Sequence, residues 1–248
     1  MNSLTPGFSN RWLRNPLCLS LDLDDKSQGL SLVQTLGSLV GMVKAGPIPY
    51  LSFGRELLEM AEKTGIPVFL DLKWHDIPNT VHDVIASIPS RSIRIITIHS
   101  LGGPSMISAA RRACDLLGED RPLLIAVTAL THLSTEELRQ IGLPDRKETV
   151  TRLGSMALDY GADGLVLSPG ELPEARDLWG EKPFLVTPGI RLADSSIEGD
   201  DQHVSDTPSE AIRNGSDLLV VGRPILRSPI PIQTVRKILS EIKGPQVS

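Results

Sequence analysis

Short, almost continuous apolar runs recur along the chain, and between them lie longer stretches in which apolar residues return every three or four positions. The runs at 17–23 (LCLSLDL), 41–45, 66–73 (IPVFLDLK), 93–99, 123–129, 164–167, 184–187 and 218–221 read as β-strands. Helical spacing covers 30–39, 50–63, about 80–88, a stretch opening near Pro104, 135–140 and 147–160. The strands do not alternate apolar with polar, which is the pattern of a parallel sheet covered on both faces. Eight such strands alternating with helices in 248 residues favour a closed barrel over an open doubly wound sheet. The expected fold is therefore α/β, a single-domain (β/α)8 TIM barrel over residues 1–248, with residues 1–15 as an N-terminal extension. No Pro-, Gly- or Ser-rich linker divides the chain. Residues 191–207 stand out as a long loop, and long loops in compact barrels are often functional.

Composition narrows the class. Hydrophobic residues make up 40% and charged residues 22%, enough apolar material for one sizeable core. The formal net charge is −5 and no basic block or Arg-rich stripe occurs, so a nucleic-acid partner is not expected. A small anionic ligand remains compatible, because a few local donors bind it whatever the overall charge. The two cysteines, Cys18 and Cys114, have no metal-ligand spacing and read as packed thiols of a reducing compartment. With no signal-type apolar segment in the first fifteen residues and no run of 18 apolar residues, a soluble cytoplasmic protein without a membrane partner is expected. The histidines His75, His82, His99, His132 and His203 form no His-x-His or His-x-x-x-His pair, so no metal is expected.

In a parallel barrel the chemistry gathers at the C-terminal ends of the strands. The polar residues falling there are Asp22, Lys44, Asp71, Lys73, His99, Thr128, Thr131, Arg191, Gly222 and Arg223. Asp71 and Lys73 are two apart on a strand and share a face, and Asp76 follows three residues later in the loop. An Asp-x-Lys-x-x-Asp pattern also fits an ordinary strand-end salt bridge. Its position after a buried strand, with Asp22 and Lys44 at neighbouring strand ends, favours a charged array that carries chemistry. The segment Val220-Val221-Gly222-Arg223-Pro224 has a bland reading too, as a glycine turn beside a surface arginine. After the last barrel strand, however, a glycine lets an anion approach backbone N–H groups and an arginine offers a planar fork for phosphate.

Taken together these residues resemble the orotidine 5′-phosphate decarboxylase family. The likeness runs from Ser20-Leu21-Asp22 to Gly222-Arg223-Pro224-Ile225 and is strongest at Phe69–Thr80 (FLDLKWHDIPNT). Lys44-Ala45-Gly46, His99-Ser100-Leu101-Gly102-Gly103, Val127–Thr131 (VTALT), Thr187–Arg191 (TPGIR) and Gly199-Asp200-Asp201-Gln202 support it in the right order. The resemblance implies that Asp22 binds ribose hydroxyls and that Lys44, Asp71, Lys73 and Asp76 form a Lys-Asp-Lys-Asp array. It implies a homodimer with shared active sites, Asp76 and Thr80 serving the partner subunit. Thr131 would lie near the pyrimidine, and Arg191, Gln202, Gly222 and Arg223 around the phosphate. The chain departs from the family pattern at His132, where a serine is common, at Ile48, where a glutamate is frequent, and at Val204, near a frequent basic residue.

The implied reaction removes CO2 from orotidine 5′-monophosphate without a cofactor, giving uridine 5′-monophosphate for pyrimidine biosynthesis, with Lys73 protonating C6. Two alternatives stand beside it. Sugar-phosphate decarboxylases and aldolases of the same superfamily share the Asp-x-Lys-x-x-Asp element but use Mg²⁺; Asp76–Thr80 (DIPNT) and the Gly-Asp-Asp-Gln loop disfavour them. A phosphate-ligand binding protein without catalysis would have no need for the charges concentrated around Lys73.

Overall fold

A computed structural model describes residues 12–89, 91–192 and 206–243. Eight parallel strands close into a barrel in sequence order, the last pairing with the first. They are β1 (Leu17–Ser20), β2 (Met42–Ala45), β3 (Val68–Trp74), β4 (Ile93–His99), β5 (Leu123–Val127), β6 (Gly164–Val166), β7 (Phe184–Pro188) and β8 (Leu218–Val221). Every apolar run read from the sequence became a strand, because consecutive apolar side chains are buried here on both sides. One set packs inside the barrel, around Cys18, Met42, Phe69, Ile95, Phe184 and Leu218. The alternate set, including Leu19, Val43, Leu70, Ile96 and Leu165, packs outward against the helices. Burial of each such side chain contributes roughly 1.5–3 kcal/mol.

The helices are α1 (Lys26–Leu36), α2 (Pro47–Phe53), α3 (Arg55–Thr64), α4 (Pro78–Ala86), α5 (Gly103–Leu116), α6 (Thr135–Gln140), α7 (Arg146–Asp159), α8 (Leu172–Trp179), α9 (Pro208–Arg213), α10 (Arg223–Leu226) and α11 (Pro231–Lys243). Several boundaries differ from the periodicity by a few residues, β1 ending at Ser20 rather than 23 and α1 at Leu36 rather than 39 among them, and two differences have a visible cause. The first helix begins at Lys26 rather than 30, since the Asp25 side chain accepts the Gln28 N–H and caps it there. The stretch 50–63 is broken into α2 and α3 at Gly54, whose φ of 55° lies in the left-handed region that a helix interior excludes. Helices α8 to α11, not assigned individually from the pattern, complete the outer ring. Ahead of β1, Leu13 is buried in the lower barrel interior with Trp12 packed beside it, so this part of the N-terminal stretch closes the barrel floor.

The barrel floor is also tied by two buried aspartates that stand just before strands, in the matching segments Gly161-Ala162-Asp163 and Gly215-Ser216-Asp217. Asp163 accepts the Leu124 N–H at 2.8 Å and is held by Arg111 at 2.9 Å and Arg121 at 2.7 Å. Asp217 accepts the Leu185 N–H at 2.7 Å and Arg176 at 2.7 Å. Each carboxylate thus caps the start of the neighbouring strand while anchoring an outer helix. Removing one would leave a buried strand N–H without its acceptor and take from partly buried guanidiniums the carboxylate that ties them to the sheet. Asp163→Ala is therefore expected to lower the unfolding free energy by about 3 kcal/mol in urea titrations, and a loss below about 1 kcal/mol would show the tie to be dispensable.

Candidate active site

The inward parity that is apolar deep in the barrel turns polar at its top on one side only. Cys18, Met42, Phe69 and Ile95 are followed two residues later by Ser20, Lys44, Asp71 and Thr97. On the other side Val127, Val166, Val186 and Val220 remain apolar and line the opening. A cavity of about 260 Å³ at the C-terminal mouth has a charged wall after β1–β3 and an apolar wall from β5–β8. Asp22, Lys44, Asp71, Lys73, Thr131, Arg191, Gly222 and Arg223, all singled out from the sequence, line it together.

The charged wall is one connected network. Asp71 Oδ1 accepts Lys73 Nζ at 2.9 Å, and its Oδ2 lies 3.4 Å from Lys44 Nζ. Lys44 in turn reaches Asp22 Oδ1 at 3.4 Å, and Ser20 Oγ donates to Asp22 Oδ2 at 2.7 Å. Lys44 and Asp71 are buried, whereas the Lys73 side chain is 35% exposed towards the cavity, against 11% for Lys44. Burial alone would push the Asp71 carboxyl up. The ammonium groups of Lys44 and Lys73, with hydrogen bonds from Lys73 and Thr97, outweigh it and hold the group below its ordinary value. For Lys44 burial disfavours the charge, but Asp71 and Asp22 reverse the balance and raise its pKa. Beneath them, burial pushes the Cys18 thiol up, so it stays neutral.

Local backbone geometry aims these groups. The pairing of β3 with β4 slips between Leu70 and Trp74, and there Lys73 adopts φ 48°, the one described non-glycine residue with positive φ. That conformation costs roughly 1–3 kcal/mol and persists only where its surroundings enforce it. The Lys73 N–H donates to Thr97 Oγ1 at 2.9 Å, and Thr97 Oγ1 donates to Asp71 Oδ1 at 2.9 Å. Just beyond, His75 and His99 stack with ring centroids 5.5 Å apart and planes 21° from parallel. Burial, helped by His75 and Lys73, lowers the His99 pKa to about 4.

Across the mouth, Arg191 follows β7 and Arg223 follows β8. Burial and the neighbouring Arg223 charge lower the pKa of Arg191, so two guanidiniums converge at one place. At Gly222 a Cβ would come within 3.2 Å of the Ser20 side chain, a tight contact, and within 3.7 Å of Asp22 Oδ2, an ordinary one, so the chain runs close to β1 there. Thr131 is held at the cavity by Arg146, whose Nη1 donates to the carbonyls of Leu130 at 3.2 Å and Leu133 at 3.1 Å.

Two expected site residues stand elsewhere. Asp76 and Thr80 are exposed and line no part of that cavity; they border a second hollow with Trp74, His75 and Val81, which meets the first at Lys73. Gln202 lies outside the described residues. Ser20 and Thr97 were missed by the sequence reading, since a lone hydroxyl in an apolar strand carries no pattern; their place two residues after Cys18 and Ile95 on the inward face was the available signal. Among the described residues no three His, Cys, Asp or Glu side chains are grouped to hold a metal ion.

Residues 15–238 match the model of the "Orotidine 5'-phosphate decarboxylase / HUMPS family". The orotidine 5'-phosphate decarboxylase of Shewanella sediminis is 39% identical over 231 residues, covering 93% of this chain and 98% of that protein. That of Nitrosomonas europaea is 41% identical over 227 residues, covering 91% and 96%. Among solved structures, orotidine 5'-phosphate decarboxylase from Lactobacillus acidophilus superposes with a TM-score of 0.80 at 33% identity, covering 93% of this chain and all of that one. A barrel with this strand order, this charged wall and likeness along almost its whole length places the chain in the orotidine 5′-phosphate decarboxylase / HUMPS family.

Proposed function

We propose that this protein decarboxylates orotidine 5′-monophosphate to uridine 5′-monophosphate, with its own side chains supplying the catalysis, in the cytoplasm. The observation that carries this reading is Asp71, buried between two lysines of which only Lys73 opens substantially into the cavity. As the C6–carboxylate bond breaks, its electron pair stays on C6 and CO2 leaves. The Lys73 ammonium is a fixed positive charge for that developing carbanion and then gives C6 a proton, its amine being reprotonated from solvent. Asp71 holds Lys73 in place and keeps negative charge near the substrate carboxylate. The apolar valine wall suits a flat ring, and the convergent Arg191 and Arg223 with the close approach at Gly222 suit a phosphate. Binding energy from that remote phosphate can lower the barrier at C6. Asp22 at the β1 end is placed for ribose hydroxyls and Thr131 for the base.

The test is direct. In EDTA the wild-type protein should convert orotidine 5′-monophosphate, followed by the change in pyrimidine absorbance, and Lys73→Ala should lose activity by roughly 10³-fold or more while keeping its circular dichroism spectrum. Activity abolished by EDTA and restored by Mg²⁺ would point instead to the metal-dependent chemistry of the family's other branch.

The active form in this reading is a homodimer in which Asp76 and Thr80 complete the neighbour's site. Their exposure after β3, beside Ile77 at 67% exposed and around a hollow that Lys73 also lines, supports it. Mixing Lys73→Ala with Asp76→Ala chains, each inactive alone, then yields heterodimers in which one site carries both defects and the other neither. After dissociation and reassembly about a quarter of all sites should regain activity. Heterodimers that form but stay inactive would confine Asp76 to its own barrel.

A further inference from the structure

The side chains that line the cavity leave out one buried hydroxyl beneath them. Thr97, on the inward face of β4, is wholly buried and meets both Asp71 and Lys73. We propose that Thr97 is a positioning residue for decarboxylation: its hydroxyl clamps the main chain of Lys73 to the carboxylate of Asp71 and so sets where the Lys73 ammonium points. The inference rests on the reading of Lys73 as the group that meets the reacting carbon.

Three observations carry it. Between Leu70 and Trp74 three residues of β3 face the single residue Thr97 of β4, so regular pairing lapses where the reacting lysine sits. The Lys73 N–H is received there by the Thr97 side chain rather than by the β4 main chain, at 2.9 Å. Lys73 also has the left-handed φ of 48°, which needs an enforcing contact. A single hydroxyl does both jobs, accepting from the Lys73 amide and donating to Asp71 Oδ1, the same oxygen that receives Lys73 Nζ. The lysine is thereby held at both ends, at its amide by Thr97 and at its ammonium by Asp71. A threonine suits the task because its branched Cβ restricts χ1 and keeps the hydroxyl aimed.

The clamp also affects ionisation. Asp71 faces Lys44 on β2, Lys73 on its own strand and the Cys18 thiol below, with Asp22 on the other side of Lys44, while the His75–His99 stack stands near Lys73. Of these contacts Thr97 supplies a neutral donor that favours the carboxylate form. A carboxyl held below its ordinary pKa titrates further into the acid range, so losing this donor moves the acid limb of activity towards higher pH.

The experiment compares wild type, Thr97→Val and Thr97→Ser in kcat, KM, the pH profile and melting temperature, with Lys73→Ala alongside. Thr97→Val keeps the shape and loses the hydroxyl; kcat should fall about 10- to 100-fold, the size expected for a lost hydrogen bond to a charged group. KM should change by no more than about threefold, because the phosphate and base contacts are untouched, and the acid limb should move up in pH. Thr97→Ser keeps the hydroxyl with a looser χ1 and should retain kcat within about threefold. Where Thr97→Val does not fold, Thr97→Ala makes the same comparison. The proposal is overturned by a hydroxyl-free variant that is folded with near wild-type kcat, by equal losses in the serine and valine variants, or by an effect on melting temperature alone. A Lys73→Ala chain that still decarboxylates would sink the functional reading, and the clamp with it. An inactive Lys73→Ala beside a fully active Thr97→Val would sink the clamp alone.

Discussion

The Asp71 carboxylate organises the top of this barrel. It sits buried between Lys44 and Lys73, takes a hydrogen bond from Thr97, and through Lys44 is linked to Asp22. Removing it would leave Lys44 buried beside a single, more exposed acid and would free the Lys73 side chain. An ion cluster of this kind is a poor way to gain stability, since desolvation offsets most of the attraction and apolar packing of the same volume often does as well. The layers beneath it are in fact apolar, with Cys18, Met42, Phe69 and Ile95 at the same inward positions. The charged layer is therefore best understood as a cost accepted for chemistry at the mouth.

Its asymmetry follows from chain order. In a closed barrel β1–β4 and β5–β8 face each other, so a polar top layer on the first four strands and valines on the last four make one cavity with two kinds of wall. A ligand with a flat ring and separate anionic groups matches such a cavity better than a uniformly polar or greasy one. Strain is concentrated at the point where the two demands meet: β3 must stay in the sheet and also present Lys73 inward, and the slipped pairing with a left-handed Lys73 is the outcome. At the opposite end of the barrel, Asp163 and Asp217 tie the floor to outer helices.

Much of this was legible in the sequence, for a physical reason. A strand covered on both faces must be apolar at successive positions, so each barrel strand announced itself, and charges at strand ends stood out against that background. Asp22, Lys44, Asp71, Lys73, Thr131, Arg191, Gly222 and Arg223 were found in this way and share one cavity. Helix limits were less readable because they depend on single contacts, such as the Asp25 cap, or on one residue's φ, as at Gly54. Ser20 and Thr97 escaped notice because a hydroxyl in an apolar strand costs little and looks ordinary until its partners are known. Asp76 and Thr80 were named from the motif alone, and the structure sets them on an exposed rim, in a hollow that shares Lys73 with the home cavity.

The central claim is that Asp71 remains an ionised carboxylate held by two ammonium groups. The most direct measurement is the ¹³C chemical shift of aspartate carboxyls followed through an acid titration, with the Asp71 signal assigned by its loss in Asp71→Asn. The account predicts that this signal titrates below the ordinary aspartate value of 3.8, or does not titrate before the protein unfolds. A midpoint at or above that value would mean that burial prevails over Lys44 and Lys73, and would contradict it.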